Sequence, residues 1–250
     1  MDNNLKKINY QALILSAGYG KRMLPLTLLT PKPLIKLLGK PIITYLLKQL
    51  ENNNISSCFI NSHHLSDKIE LFVAEYLKKN SLINIHTSYE KEILDTGGAI
   101  KNINDINCDP LIVINGDSII INTNHHNPIK VLKENFDPVQ MDALLLLDNY
   151  KNSIGYKGQG DFVFKKNNNL DLIERIGKQT KGSLAFTGWQ ILNPKIVKNI
   201  NKKKFSLNYF FDQAIRNNRL CGLINKNKWL HIGNLESLKE SSIWLEKFKL

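Results

Sequence analysis

Residues 12–34 run Ala12-Leu-Ile-Leu-Ser-Ala-Gly-Tyr-Gly-Lys-Arg-Met-Leu-Pro-Leu-Thr27, then Leu28-Leu-Thr30 and Pro31-Lys-Pro-Leu34. The opening run Ala12–Leu15 has no polar alternation, the pattern of a strand buried on both faces of a parallel sheet. It passes directly into a turn where Gly18 and Gly20 let the backbone approach a ligand closely. Successive N–H groups of such a turn form a nest for an anion. Arg22 adds a planar fork suited to phosphate oxygens, and Lys32, between two prolines, is a second cation on a stiff backbone. Together these residues describe a site for a polyphosphate and a second anion. Two familiar phosphate motifs are excluded. A Walker loop needs Ser or Thr after Gly-Lys, where this chain has Arg22; the dinucleotide fingerprint needs a third glycine where Met23 stands.

Outward from this loop, strands and helices alternate. Ile42, Ile43, Leu46, Leu47 and Leu50 form a helical stripe opened by Pro41. Cys58–Asn61 reads as a strand, Asp67–Leu77 as a helix and Ile83–Ser88 as a strand. Leu111–Ile114 is the clearest buried strand and ends at Asn115-Gly116-Asp117, and Ala143–Leu147 is a further apolar run. Such alternation implies crossover units and a mostly parallel sheet flanked by helices, an α/β class. From about residue 149 the pattern changes: Gly155, Gly158 and Gly160 precede Asp161–Lys165, which alternates like a hairpin strand. Ser183–Trp189 reads as another strand. Ser206 is placed to cap a helix reaching Asn217, and Glu236–Lys247 is a terminal helix. With no linker or repeat, the expectation is a single domain over 1–250, its second half extending the sheet of the first with antiparallel decoration.

The 250 residues are 42% hydrophobic and 22% charged, which excludes a disordered or fibrous protein. No apolar run approaches the roughly 18 residues of a membrane span, so no membrane partner is expected. Three cysteines, odd in number and without CxxC spacing, fit a reducing, cytoplasmic setting. The net charge of +12 comes from 30 Lys and 4 Arg in a chain with 31 Asn. That balance fits AT-rich codon usage, and the lysines form no patch, so no nucleic-acid partner is expected. The pairs His63-His64 and His125-His126 read as surface or loop residues, since adjacent side chains seldom point at one ion.

Leu15–Leu34 matches the signature LxAGxGxRxxPLTxxxPKPL, and the chain thereby resembles the sugar-1-phosphate nucleotidyltransferases. Within them it is most similar to the bacterial N-acetylmuramate α-1-phosphate uridylyltransferases of cell-wall recycling. The resemblance continues through Glu90–Ile100, Val113–Asp117, Gly158–Phe162, Gly182–Pro194 and Trp229–Leu238. It implies a Rossmann-like fold, with a nucleotide-binding half at about 1–148 and a sugar-binding half at about 149–250. It also implies a reaction in which a sugar-1-phosphate oxygen attacks the α-phosphorus of a nucleoside triphosphate, releasing pyrophosphate; UTP is the expected donor. Arg22 would serve the triphosphate and transition-state charge, and Lys32 the sugar phosphate. Leu15, Ala17, Gly18, Gly20, Asn115, Thr96, Gly97 and Gly98 would bind the nucleotide. Taken alone, Thr96-Gly97-Gly98 reads equally well as a helix start capped by Thr96. Asp161, Thr187 and Gly188 are the sugar-binding candidates. Asp117, at the carboxyl edge of its strand, is the expected Mg²⁺ ligand. The family's second metal-binding aspartate falls on His231 in Trp229-Leu230-His231-Ile232-Gly233, and Asn234 replaces the usual Thr. As a ligand, an imidazole there favours Mn²⁺ or Co²⁺ over Mg²⁺; read equally well, His231 turns aside and hydrogen-bonds a phosphate, leaving the metal one protein ligand. Two other readings stand beside this one: a guanylyl-, thymidylyl- or cytidylyltransferase acting on another phosphorylated acceptor, and a catalytically silent nucleotide-sugar-binding homologue.

Overall fold

The computed structural model describes residues 9–79, 82–123, 126–150, 153–166, 170–177 and 181–248. The first half carries β1 (Gln11–Leu15), a small ribbon of β2 (Lys36–Leu37) and β3 (Lys40–Pro41), and α1 (Ile42–Glu51). Then come β4 (Ser57–Ser62), α2 (Ser66–Lys79), β5 (Asn84–Tyr89) and α3 (Asp95–Asn102). They are followed by β6 (Leu111–Asn115), β7 (Ser118–Ile121), α4 (Pro128–Asn135) and β8 (Ala143–Asp148). The second half adds a hairpin of β9 (Phe162–Phe164) and β10 (Ile173–Arg175), then β11 (Ala185–Leu192) and α5 (Pro194–Lys198). It closes with α6 (Leu207–Arg216), β12 (Leu220–Ile224), β13 (Lys228–His231) and α7 (Leu235–Phe248).

Seven strands form one sheet in the order β12-β8-β11-β6-β1-β4-β5. All run parallel except β11, which lies antiparallel between β6 and β8. The fold is therefore the mixed, mostly parallel α/β sheet that the alternation predicts, and strands from both halves build it. The two-residue period of a strand divides its side chains between two cores. Ala12 and Ile14 join one core with α1, α2 and α4, while Leu13 joins the other with α3, α5 and α6. Ile112 and Ile114 part from Leu111 and Val113 in the same way. This two-sided burial is why β1 and β6 are uninterrupted apolar runs.

Ser206 caps α6 as expected, its side chain accepting from the Asn208 N–H. The helix α4 is absent from the sequence reading, although its start is marked: Asn127 accepts from the Ile129 and Lys130 N–H groups, and Pro128 occupies the first turn. Also unforeseen is the antiparallel pairing of β7 with β13, which sets His231 opposite Ser118. That pairing carries the chain's last strand to the functional edge of the sheet.

Candidate active site

A cleft of about 400 Å³ opens at the carboxyl ends of β1 and β6, where open α/β sheets bind their ligands. Leu15, Ala17, Gly18, Gly20, Arg22, Lys32, Asn115 and Asp117 all line it. With Thr96, which also lines it, nine expected residues from four separate stretches of sequence converge on one cavity.

The glycine loop leaves β1 in a tight turn closed by the Gly18 N–H donating to the Ser16 carbonyl at 2.8 Å. Gly20 has φ +60°, a left-handed conformation that a side chain disfavours. A Cβ there would also lie 2.7 Å from Cγ2 of Thr27, which is buried and donates its hydroxyl to the Gly20 carbonyl at 3.0 Å. Three short 3₁₀ turns follow, Lys21–Met23, Leu26–Leu28 and Lys32–Leu34. Met23, fully buried, pins the first turn to the core and leaves Lys21 and Arg22 facing the cleft.

Opposite the loop, Gly116 lets β6 pass close to β1. Its N–H donates to the Leu15 carbonyl at 2.9 Å, and a Cβ would lie 2.7 Å from that oxygen. Asp117 follows, paired with Lys32 through Nζ and Oδ2 at 2.5 Å. Burial alone would raise its pKa, but the cations beside it, Lys32 above all and Arg22 with it, win and hold the carboxyl below its usual range. The Asp117 carbonyl accepts from the Ile232 N–H at 2.8 Å, tying the exit of β13 to this corner. The His231 ring is consequently set among Asp117, Lys32 and Arg22. Burial drives its pKa down, with Asp117 pulling the other way, so a neutral ring is favoured. Its Nδ1 is buried without a hydrogen-bond partner.

Among the described residues no three His, Cys, Asp or Glu side chains cluster as metal ligands. One carboxylate beside one unpartnered imidazole nitrogen fits a divalent ion whose remaining ligands are substrate phosphate oxygens. A resident ion held by protein alone does not fit.

The far wall is formed by residues that sequence reasoning missed. Asn61, at the end of β4, accepts from the Ser16 N–H at 2.7 Å and donates to Glu90 Oε1 at 2.8 Å. Glu90 is buried and accepts the Leu94 N–H through its other oxygen at 2.9 Å. Burial pushes its carboxyl above the usual range despite these donors and the nearby His63. The signal was a polar pair at the ends of the neighbouring strands β4 and β5.

The remaining candidates sit differently. Thr96 lines the cleft, but it does not cap α3: its hydroxyl oxygen accepts from the Leu207 N–H at 2.8 Å and joins α3 to α6. The Gly97 and Gly98 N–H groups both donate to the Phe205 carbonyl, at 2.9 and 3.1 Å. A Cβ on Gly97 would meet the Phe205 ring, and one on Gly98 the Lys203 carbonyl. These glycines let α3 approach the 203–205 segment and do not line the cleft. Thr187 is buried, donating its hydroxyl to the Leu146 carbonyl and spanning the irregularity in β11. Asp161 accepts from the Phe186 N–H at 2.9 Å and the Tyr156 hydroxyl at 3.4 Å. Gly188, with φ +82°, packs against the Asn115 side chain. None of these three lines the cleft. His63 and His64 lie in the turn after β4 and both bond to backbone; His126 is exposed, and His125 lies outside the described residues.

The nucleotidyl transferase family model matches residues 11–247. An N-acetylmuramate α-1-phosphate uridylyltransferase of Caulobacter vibrioides is 30% identical over 225 residues, covering 89% of this chain and 91% of that one. A mannose-1-phosphate guanyltransferase of Hypocrea jecorina is 28% identical over 89% of this chain, which spans 60% of that relative's length. A solved UDP-glucose pyrophosphorylase in complex with UDP-glucose superposes with a TM-score of 0.75 over 96% of this chain and 99% of that one; at 17% identity it speaks to the Rossmann-like fold alone. With a family model spanning nearly its whole length, and the glycine loop, Arg22, Lys32 and Asp117 gathered in one cleft, this chain belongs to the nucleotidyl transferase family.

Proposed function

We propose that this chain transfers the uridylyl group of UTP to N-acetylmuramate α-1-phosphate in the cytoplasm, serving cell-wall recycling. Membership of the family makes it a sugar-1-phosphate nucleotidyltransferase. The choice of UTP and of the muramate phosphate rests on the Caulobacter relative, which matches nearly end to end.

In this reaction an oxygen of the sugar phosphate attacks the α-phosphorus of UTP. One P–O bond forms, the bond to the β-phosphate breaks, and pyrophosphate leaves. Such a transfer needs two polyanions held in line and the developing charge neutralised. The backbone N–H groups around Gly18 and Gly20 cradle the triphosphate, and Arg22 meets the charge that grows in the transition state. Lys32 exchanges Asp117 for the incoming sugar phosphate. Asp117 and His231 would hold a divalent ion, as members of the family generally use; such an ion neutralises phosphate charge. Asn115 and Leu15 form the nucleotide floor, and Gly188, packed on Asn115, brings the second half of the chain to that floor.

The observation that carries this reading is the placing of two cations and a glycine loop around one carboxylate at the carboxyl edge of the sheet. The test is a pyrophosphate-release screen crossing UTP, GTP, dTTP and CTP with a panel of sugar-1-phosphates. UTP with N-acetylmuramate α-1-phosphate is expected to give the highest kcat/KM. The guanyltransferase relatives favour a second reading, GTP with mannose-1-phosphate, and a preference for that pair in the screen would establish it instead.

A further inference from the structure

Tyr19 stands between the two glycines of the phosphate loop with its ring half exposed, yet its hydroxyl is engaged. It lies 3.1 Å from Nε2 of His63, and the two rings meet edge to face with centroids 5.3 Å apart. The other ring nitrogen of His63, Nδ1, lies 2.8 Å from the Glu90 carbonyl. A carbonyl only accepts, so Nδ1 carries the proton. In the neutral ring Nε2 is then an acceptor, and the Tyr19 hydroxyl is the donor to it. Next door, His64 Nε2 donates to the Thr27 carbonyl at 2.9 Å and its ring tilts against Tyr19.

These contacts join the two walls of the cleft through the end of β4. On one side is the loop of Gly18, Gly20 and Arg22; on the other is Glu90, whose side chain is fixed by Asn61 and Leu94. The loop needs such a tie. Open space surrounds Gly18, Gly20 sits in a left-handed conformation, and both glycines widen the range of backbone states open to the unliganded loop.

We infer that Tyr19 and His63 form a latch that holds the glycine loop in its phosphate-binding shape before the nucleotide arrives. His63 is thus a positioning residue, acting through Tyr19. The inference rests on the proposed nucleotidyl transfer for what the loop binds, but the latch itself is a property of the free protein. Order present before binding raises affinity, because the ligand then meets a larger competent fraction. Once bound, the triphosphate holds the loop itself. Loss of the latch should therefore appear in KM for the nucleotide and leave kcat nearly unchanged.

The test compares Tyr19→Phe, His63→Ala, His63→Gln and the double variant Tyr19→Phe/His63→Ala with the wild type. Loss of one net hydrogen bond corresponds to about a fivefold change in an equilibrium. Amide exchange over residues 16–22 of the ligand-free protein should quicken about fivefold in Tyr19→Phe. KM for UTP should rise by up to about fivefold, with kcat altered less than about twofold and melting temperature lowered by no more than about 4 °C. In the His63→Ala background, Tyr19→Phe should add less than about twofold, since the partner is already gone. His63→Gln, whose amide reaches the ε position, should recover most of the loss. Independent, multiplying effects of Tyr19→Phe and His63→Ala would overturn the latch, as would unchanged exchange in Tyr19→Phe. Should the wild type not turn over UTP, the functional proposal fails, and the exchange measurements still decide the latch. If His63→Ala does not fold, Tyr19→Phe and His63→Gln carry the test.

Discussion

Replacing Gly20 with alanine places a known cost inside the phosphate loop. The residue has φ +60°, and holding an L-residue in left-handed helical geometry costs roughly 1–2 kcal/mol. The new Cβ would also sit 2.7 Å from Cγ2 of Thr27 and 3.2 Å from Cβ of Lys32. Thr27 is buried, and turning it away breaks its hydrogen bond to the Gly20 carbonyl, about 1 kcal/mol more. The total is about 2–3 kcal/mol. If the loop keeps its shape, urea unfolding reads that cost as lost stability. If it escapes to another shape, kcat/KM for the nucleotide falls instead, by up to about 150-fold. The two losses, both expressed as free energies, should sum to about 2–3 kcal/mol. Gly18→Ala is the control for stability: its Cβ meets nothing within 4 Å and its φ is not left-handed, so stability should change by less than about 0.5 kcal/mol. A Gly20→Ala protein with wild-type stability and wild-type kcat/KM would refute this account of the loop.

Arg22→Ala and Lys32→Ala should each lower turnover by at least about 100-fold, the scale for a preorganised charge donor; near-normal steady-state rates in both would remove them from catalysis. His231→Asp, which restores a carboxylate opposite Asp117, should strengthen activation by Mg²⁺ and shrink any advantage of Mn²⁺. Identical titrations of both proteins with both metals would show that His231 is not a ligand. Glu90 has its carboxyl pKa raised by burial. Between the ordinary value near about 4.3 and the raised one, the native state binds a proton that the unfolded chain lacks, so this group's contribution to stability falls as pH rises. Glu90→Gln removes that term, and its urea stability should climb more steeply than wild type from about pH 4 to 7; parallel curves would count against the assignment.

What could be read directly from the chain was whatever is local. The β1 run, the turn with Gly18 and Gly20, and the strand ending at Asp117 each carry their own signal, because two-sided burial excludes polar residues and a tight turn demands glycine. The far wall was hidden for the opposite reason. Asn61 and Glu90 are single polar residues whose meaning lies in a bond between strand ends 29 positions apart. Thr96 reads as a cap by local rules, but its partner is Leu207, 111 positions away. Gly97 and Gly98 look like ligand-binding glycines until α3 is seen pressed on Phe205. Thr187 and Asp161 likewise spend their side chains on the backbone of neighbouring strands. Local rules identify the residue type a site needs and not the element that claims it.

The most direct measurement of the central claim is ³¹P NMR of the purified protein with UTP, N-acetylmuramate α-1-phosphate and Mg²⁺. The two coupled signals of a sugar nucleoside diphosphate are expected to grow together with free pyrophosphate, and only when the sugar phosphate is present. UTP consumed at the same rate without the sugar phosphate, or a sugar phosphate left untouched with every nucleotide supplied, would contradict it.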